Sequence, residues 1–133
     1  MRSLEMTGPK TDLAEERTDL AEDRTILANE RTFAGWFRTG FAGIGIGLAF
    51  NALFNRVEPP WLIRAIATIF LLISIGIFIA AERRACAVLG RLNAHKVVTV
   101  SIFWLRLMTI GAVVATTALT AAIWLLTFDP SGE

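Results

Sequence analysis

The chain has 133 residues, with 13 Lys and Arg against 12 Asp and Glu, for a formal charge of +1. Hydrophobic residues make up 54%, more than so short a chain can bury in a water-soluble core, yet 19% are charged, so the two kinds must be segregated along the sequence. Near-balanced charge excludes a general nucleic-acid binder, which needs a basic footprint. A single Cys (Cys86) excludes an internal disulfide framework, and with one His (His95) no zinc site or other metal centre is expected.

Taken in order, the chain reads as a charged arm and three apolar blocks. Residues 1–32 hold five of the basic residues and eight of the acidic ones. They contain no apolar run, so no secretory signal peptide is expected. The blocks cover 33–54, 61–81 and 102–128, interrupted only by Arg38, Arg64 and Arg106. About 20 residues at roughly 1.5 Å each cross a hydrocarbon layer of about 30 Å. The expected fold is therefore all-α and integral to a membrane: three transmembrane helices, the first continuous with the arm. Pro59 and Pro60 mark a short turn between the first two blocks. Residues 82–101 read as a basic loop with Arg83, Arg84, Arg91 and Lys96, and 129–133 as a tail. The positive-inside rule puts that loop and the arm in the cytoplasm and the C-terminus outside a plasma (inner) membrane. Arg64 and Arg106, close to block ends, are expected to snorkel to the headgroups.

The arm carries a sevenfold repeat: TDLAEER (11–17), TDLAEDR (18–24), TILANER (25–31), TFAGWFR (32–38). Such a repeat predicts a continuous helix facing other helices. At seven residues per two turns, the Leu, Arg, Ala and Thr columns form one half of the helix. The other half carries Asp12, Glu15, Glu16, Asp19, Glu22, Asp23, Asn29 and Glu30, then Phe33, Trp36 and Phe37. We read the second half as facing solvent and then lipid, and the first half as facing partner helices throughout. Gly35, Thr39, Gly43 and Gly47, spaced by four, extend that partner seam, and residues 43–47 form a GxxxG pattern that lets backbones approach.

Arg17, Arg24, Arg31 and Arg38 have no acid three or four residues away, so intrahelical ion pairs are closed to them. Their partners must be solvent, another chain's acids or an anion. Arg38 lies about five residues into the first apolar block, where a charge usually faces a bundle interior or a wet cavity. One reading is a homo-oligomeric bundle around a central anion-accessible path. Arg17, Arg24, Arg31 and Arg38 would line it in rings, Thr25, Thr32 and Thr39 would add neutral hydrogen bonds, and Glu30 would pair across subunits with Arg31 or Arg38. The alternative is a non-conducting scaffold that docks partners through its heptad arm. No nucleophile, base or metal cluster points to an enzyme, and no cofactor is expected.

The stretch LANERTFAGWFRTG (27–40) resembles the signature of the YidH family of small bacterial inner-membrane proteins, which reads roughly LANERTFLAWxRT. Leu27, Ala28, Asn29, Glu30, Arg31, Thr32, Phe33, Trp36, Arg38 and Thr39 match it, while Ala34 and Gly35 are one step smaller than the usual pair. The three-span layout matches too. The domain also resembles the membrane part of the vacuolar transporter chaperone complex, which makes polyphosphate and passes it across a membrane. That resemblance implies an assembly of five chains with first helices around a central path, and polyphosphate or another anion as partner of the arginines. The chain has no soluble polymerase domain, so synthesis of the polymer is not implied.

Overall fold

The computed structural model describes residues 8–91 and 96–126, with backbone alone at 96–101. The 129–133 tail lies outside the described residues. Three helices make up the fold: α1 (Gly8–Phe54), α2 (Pro60–Arg91) and α3 (Lys96–Leu125). Each contains a stretch long and apolar enough to cross a membrane. In those stretches only 17%, 28% and 11% of residues are buried, so most of the apolar surface points outward. Leu53, Leu72, Phe103, Ile110 and Val114 are all exposed large hydrophobics. Hydrocarbon, not water, is the solvent in which such a surface is stable.

The arm and the first span are one unbroken helix of 47 residues, about 70 Å at roughly 1.5 Å per residue. Pro9 stands in its first turn, where a missing N–H leaves no helical bond unmade. A turn over Asn55–Pro59 follows, closed by the Val57 amide donating to the Phe54 carbonyl at 3.0 Å, and Pro60 opens α2. The connection expected at 82–101 is mostly helical. α2 runs on to Arg91 and α3 starts at Lys96. The residues after Ala81 contain no Pro and no Gly before Gly90, and Ala81, Ala85 and Leu89 prolong α2's buried row by one more face-length.

α2 is the middle helix, and α1 and α3 both pack on it far more than on each other. Its buried row, Ile63, Ala67, Leu71, Ser74, Phe78, Ala81, Ala85 and Leu89, repeats at helical spacings of three and four. α1 runs antiparallel to it. Gly47 lies against the Ala67 carbonyl and Phe70, Gly40 against the Phe78 ring, and Asn29 against Ala85. A Cβ at Gly40 would collide with that ring, so only glycine lets the helices meet there.

This geometry corrects the reading of the aromatic face. Phe33 and Phe37, expected to face lipid, are 6% and 7% exposed, and Trp36 is half-buried beside them. The Phe37 and Phe78 ring centroids lie 4.8 Å apart, and Phe33 and Phe37 4.5 Å. The face that turns from acidic to aromatic is the one α2 covers. Gly43 and Gly47 also lie on that side, not on one seam with Gly35, which meets nothing within 4 Å. The reason is periodicity: residues four apart advance by roughly 40° at 3.6 residues per turn, so three such steps carry the series around a third of the helix.

Polar ties join the three helices. The Asn29 side-chain amide donates to the Ala85 carbonyl at 3.4 Å, a buried link between α1 and α2. The Trp124 indole donates to the Thr68 hydroxyl at 3.1 Å, joining α3 to α2 near the opposite end. Arg106 does not simply snorkel: its Nε lies 3.3 Å from Glu82 Oε1, tying α3 to α2.

Candidate functional site

α1 presents its repeat on the side facing away from α2. Arg17, Arg24, Arg31 and Arg38 are exposed, as are Ala14, Ala21, Ala28 and Gly35 in the neighbouring column. By heptad position these two columns stand opposite the one formed by Ile26, Phe33, Gly40 and Gly47, which packs on α2. The helix thus carries two long stripes on opposite sides. One is spent on the chain's own hairpin; the other is exposed among the described residues and borders the rest of the chain only at two grooves along its flanks.

Among the described residues, no ion pair holds any of the four arginines, nor Glu30. Arg38 is the distinctive member. It sits where its own side of the helix has turned apolar, beside Ala34, Phe41 and Ala42, at the edge of a groove of about 590 Å³ between α1 and α3. Phe33, Phe37, Trp104, Leu105 and Met108 line the groove, and Glu30 stands at its rim. In the sequence Trp104 reads only as an interfacial aromatic near a span end, and nothing in the spacing of Met108 sets it apart from other lipid-facing residues.

The threonine column behaves differently from what was expected of it. Thr18, Thr25, Thr32 and Thr39 each donate their hydroxyl to the carbonyl four residues earlier, at 2.9, 3.0, 3.0 and 3.1 Å. The hydroxyl protons therefore point back along the helix, and the outward lone pairs are acceptors. Toward an anion, this stripe offers the guanidiniums as donors. The Thr oxygens suit water or a guanidinium. Thr32, Gly35, Trp36 and Thr39, with Ile77 of α2, line a second groove of about 410 Å³ on the other flank of the stripe.

The structure thus brings Arg31, Arg38, Thr32, Thr39 and Gly35 onto one outward face and sends Gly43 and Gly47 to α2. Among the described residues no cluster of His, Cys, Asp and Glu could hold a metal ion. Cys86 is half-buried, its thiol 3.8 Å from Glu82 Oε1. Three ties were missed in the sequence: Asn29 to Ala85, Glu82 to Arg106 and Trp124 to Thr68. Their only signal was a polar side chain on a face that is otherwise apolar or small.

Comparison with known proteins places this geometry. No curated protein and no solved structure matches the chain. One family profile, described as a domain of unknown function (DUF202), matches residues 24–91. That span holds the LANERTF stretch, both glycine contacts and all of α2, and it begins close to where α2 starts to cover α1. The repeats before Arg24 and the whole of α3 lie outside it. Covering half of the sequence, the match shows that this chain belongs to the DUF202 family, a domain of unknown function.

Proposed function

We propose that the protein is a homo-oligomeric membrane bundle in which the outward stripe of α1 surrounds a central path for an anion. The observation that carries the reading is Arg38: an exposed guanidinium within the apolar part of α1, on the side away from α2, held by no ion pair among the described residues. A charge at such a depth is costly in lipid and stable in a wet, protein-lined space. Copies arranged with α1 inward and α2 and α3 outward supply that space, and a ring of Arg38 lowers the barrier to an anion inside it. Arg31 with Thr32, and below it Arg24 with Thr25 and Arg17, prolong the stripe toward the arm. Thr39 and Thr32 hold water through their outward lone pairs. Glu30 pairs across subunits with Arg31 or Arg38 and sets the register. The resemblance read from the LANERTF stretch favours about five chains and a polyanion such as polyphosphate. The basic end of α2, with Arg83, Arg84 and Arg91, lies in the cytoplasm with the arm, in a plasma (inner) membrane.

The second reading, a scaffold that docks other proteins through the arm, rests on the full exposure of residues 8–21. Flux measurements on purified protein in liposomes separate the two. Chloride, phosphate and short polyphosphate are offered in turn to the wild type and to Arg38→Gln. The proposal predicts anion flux in the wild type, reduced at least tenfold by Arg38→Gln, with the oligomer's native mass unchanged. No flux in an intact oligomer, or flux indifferent to Arg38→Gln, overturns it in favour of the scaffold.

A further inference from the structure

With Asn29 opposite Ala85, the six residues α2 has left before Arg91 bring its end level with about Asp23 of α1. Among the described residues α1 continues alone below that level for some four turns, and large apolar side chains run outward along this segment and the turn just above it. Leu13, Leu20 and Leu27 are 56%, 54% and 58% exposed, on a helix otherwise charged or small. They recur every seven residues, so on a helix wound against another they form one straight column.

The columns to either side decide what covers it. Three residues after each Leu stands an acid: Glu16, Asp23, Glu30. Four residues after each Leu stands a base: Arg17, Arg24, Arg31. In heptad geometry these columns lie about 50° to either side of the Leu column. The arm therefore has an apolar centre line with carboxylates along one edge and guanidiniums along the other. Two such helices placed antiparallel set acid edge against acid edge and base against base. Placed parallel, they set each acid edge against the other's base edge. Copies inserted in one bilayer with the same topology are parallel and level, which is the arrangement this charge pattern requires.

We infer that the Leu13, Leu20 and Leu27 column is a parallel, in-register contact between copies of this chain, closed along its edges by interchain pairs of Arg17, Arg24 and Arg31 with Glu16, Asp23 and Glu30. The inference rests on the homo-oligomer proposed above and sharpens it. The pairs occupy the three arginines of the arm. One heptad higher, the acid column becomes Phe37, which is buried on α2, so Arg38 has no interchain carboxylate at the equivalent place. Arg38 is left as the uncompensated cation of the stripe, so within that reading the arm's arginines hold the assembly together and Arg38 meets the anion. Three Leu layers hold a weak seam on their own, and co-insertion in the membrane supplies the high local concentration that makes it form.

The test uses the full-length protein in its membrane with Cys86→Ser as background. Leu20→Cys and Thr18→Cys place single thiols about 150° apart around the arm, both at exposed positions within one chain. Mild oxidation is expected to convert Leu20→Cys largely into a covalent dimer and to leave Thr18→Cys monomeric on a denaturing gel. Adding Arg24→Glu to Leu20→Cys should lower the dimer yield severalfold, and adding Asp23→Arg as well should restore it. Cross-linking through Thr18→Cys in preference to Leu20→Cys overturns the seam. So does its absence at both positions in a protein whose native mass is still multimeric, which leaves the oligomer standing. A monomeric native mass removes the seam and the oligomer together.

Discussion

The arm and the hairpin are two halves of one helix with one repeat, and they differ in a single face. The Arg column runs unchanged from Arg17 to Arg38. The column opposite reads Asp12, Asp19, Ile26, Phe33, Gly40, Gly47. In the arm those positions are charged and exposed; from Ile26 upward they pack on α2. The switch comes where α2 ends, not simply where lipid begins. A helix can thus keep one face outward along its whole length while the other passes from free to buried. The lesson is that substitutions at one heptad position should have large consequences in the hairpin and small ones in the arm.

That contrast can be broken first in the hairpin. Phe78 is fully buried beneath Phe37 and Gly40. Phe78→Ala should lower the resistance of the reconstituted protein to unfolding by SDS by about 3 kcal/mol, toward the low end for a buried Phe because the surroundings it leaves are already apolar. Gly40→Leu drives a side chain onto the same ring and should cost about 1–3 kcal/mol in that assay. Asn29→Ala removes the buried amide's bond to Ala85 and should cost about 0.6–1.7 kcal/mol. Smallest of all, Asp19→Ala, at the heptad position of Phe33 and Gly40 but below α2, should shift the unfolding midpoint by no more than about 0.5 kcal/mol. An Asp19→Ala effect as large as that of Asn29→Ala would mean that the arm is packed against its own chain after all.

Much of the fold was legible because membrane physics is blunt. Three apolar blocks, a Pro59-Pro60 turn and an uninterrupted heptad lead directly to three spans and a continuous first helix. What covers each face was harder. Phe33 and Phe37 suit lipid as well as a helix interface, and in a bilayer hydrophobicity does not separate the two. The better signal was the company they keep. Gly40 and Gly47 share the column of Phe33, and Asn29 lies at its edge, small and polar residues of the kind that mark helix contacts in membranes. Gly43 and Gly47 do serve close helix packing, as their spacing suggested, but not on one seam with Gly35, because a four-residue series winds around the helix whereas a seven-residue one does not. The loop expected at 82–101 failed for a related reason: Arg83, Arg84 and Arg91 were read as loop chemistry, but arginine is a good helix former and the row of Ala81, Ala85 and Leu89 had not ended. The outward arginines were plain in the sequence. That they stand opposite the hairpin contact required the structure.

The central claim is that this outward stripe faces other copies of the chain. Native mass spectrometry of the full-length protein released from nanodiscs measures it directly. The account predicts one discrete multimer, with about five chains favoured by the resemblance noted above, that keeps its mass when Arg38 is changed to Gln. A monomer, or a complex held only with a different protein, would contradict it and leave the Arg stripe as a docking face for that partner.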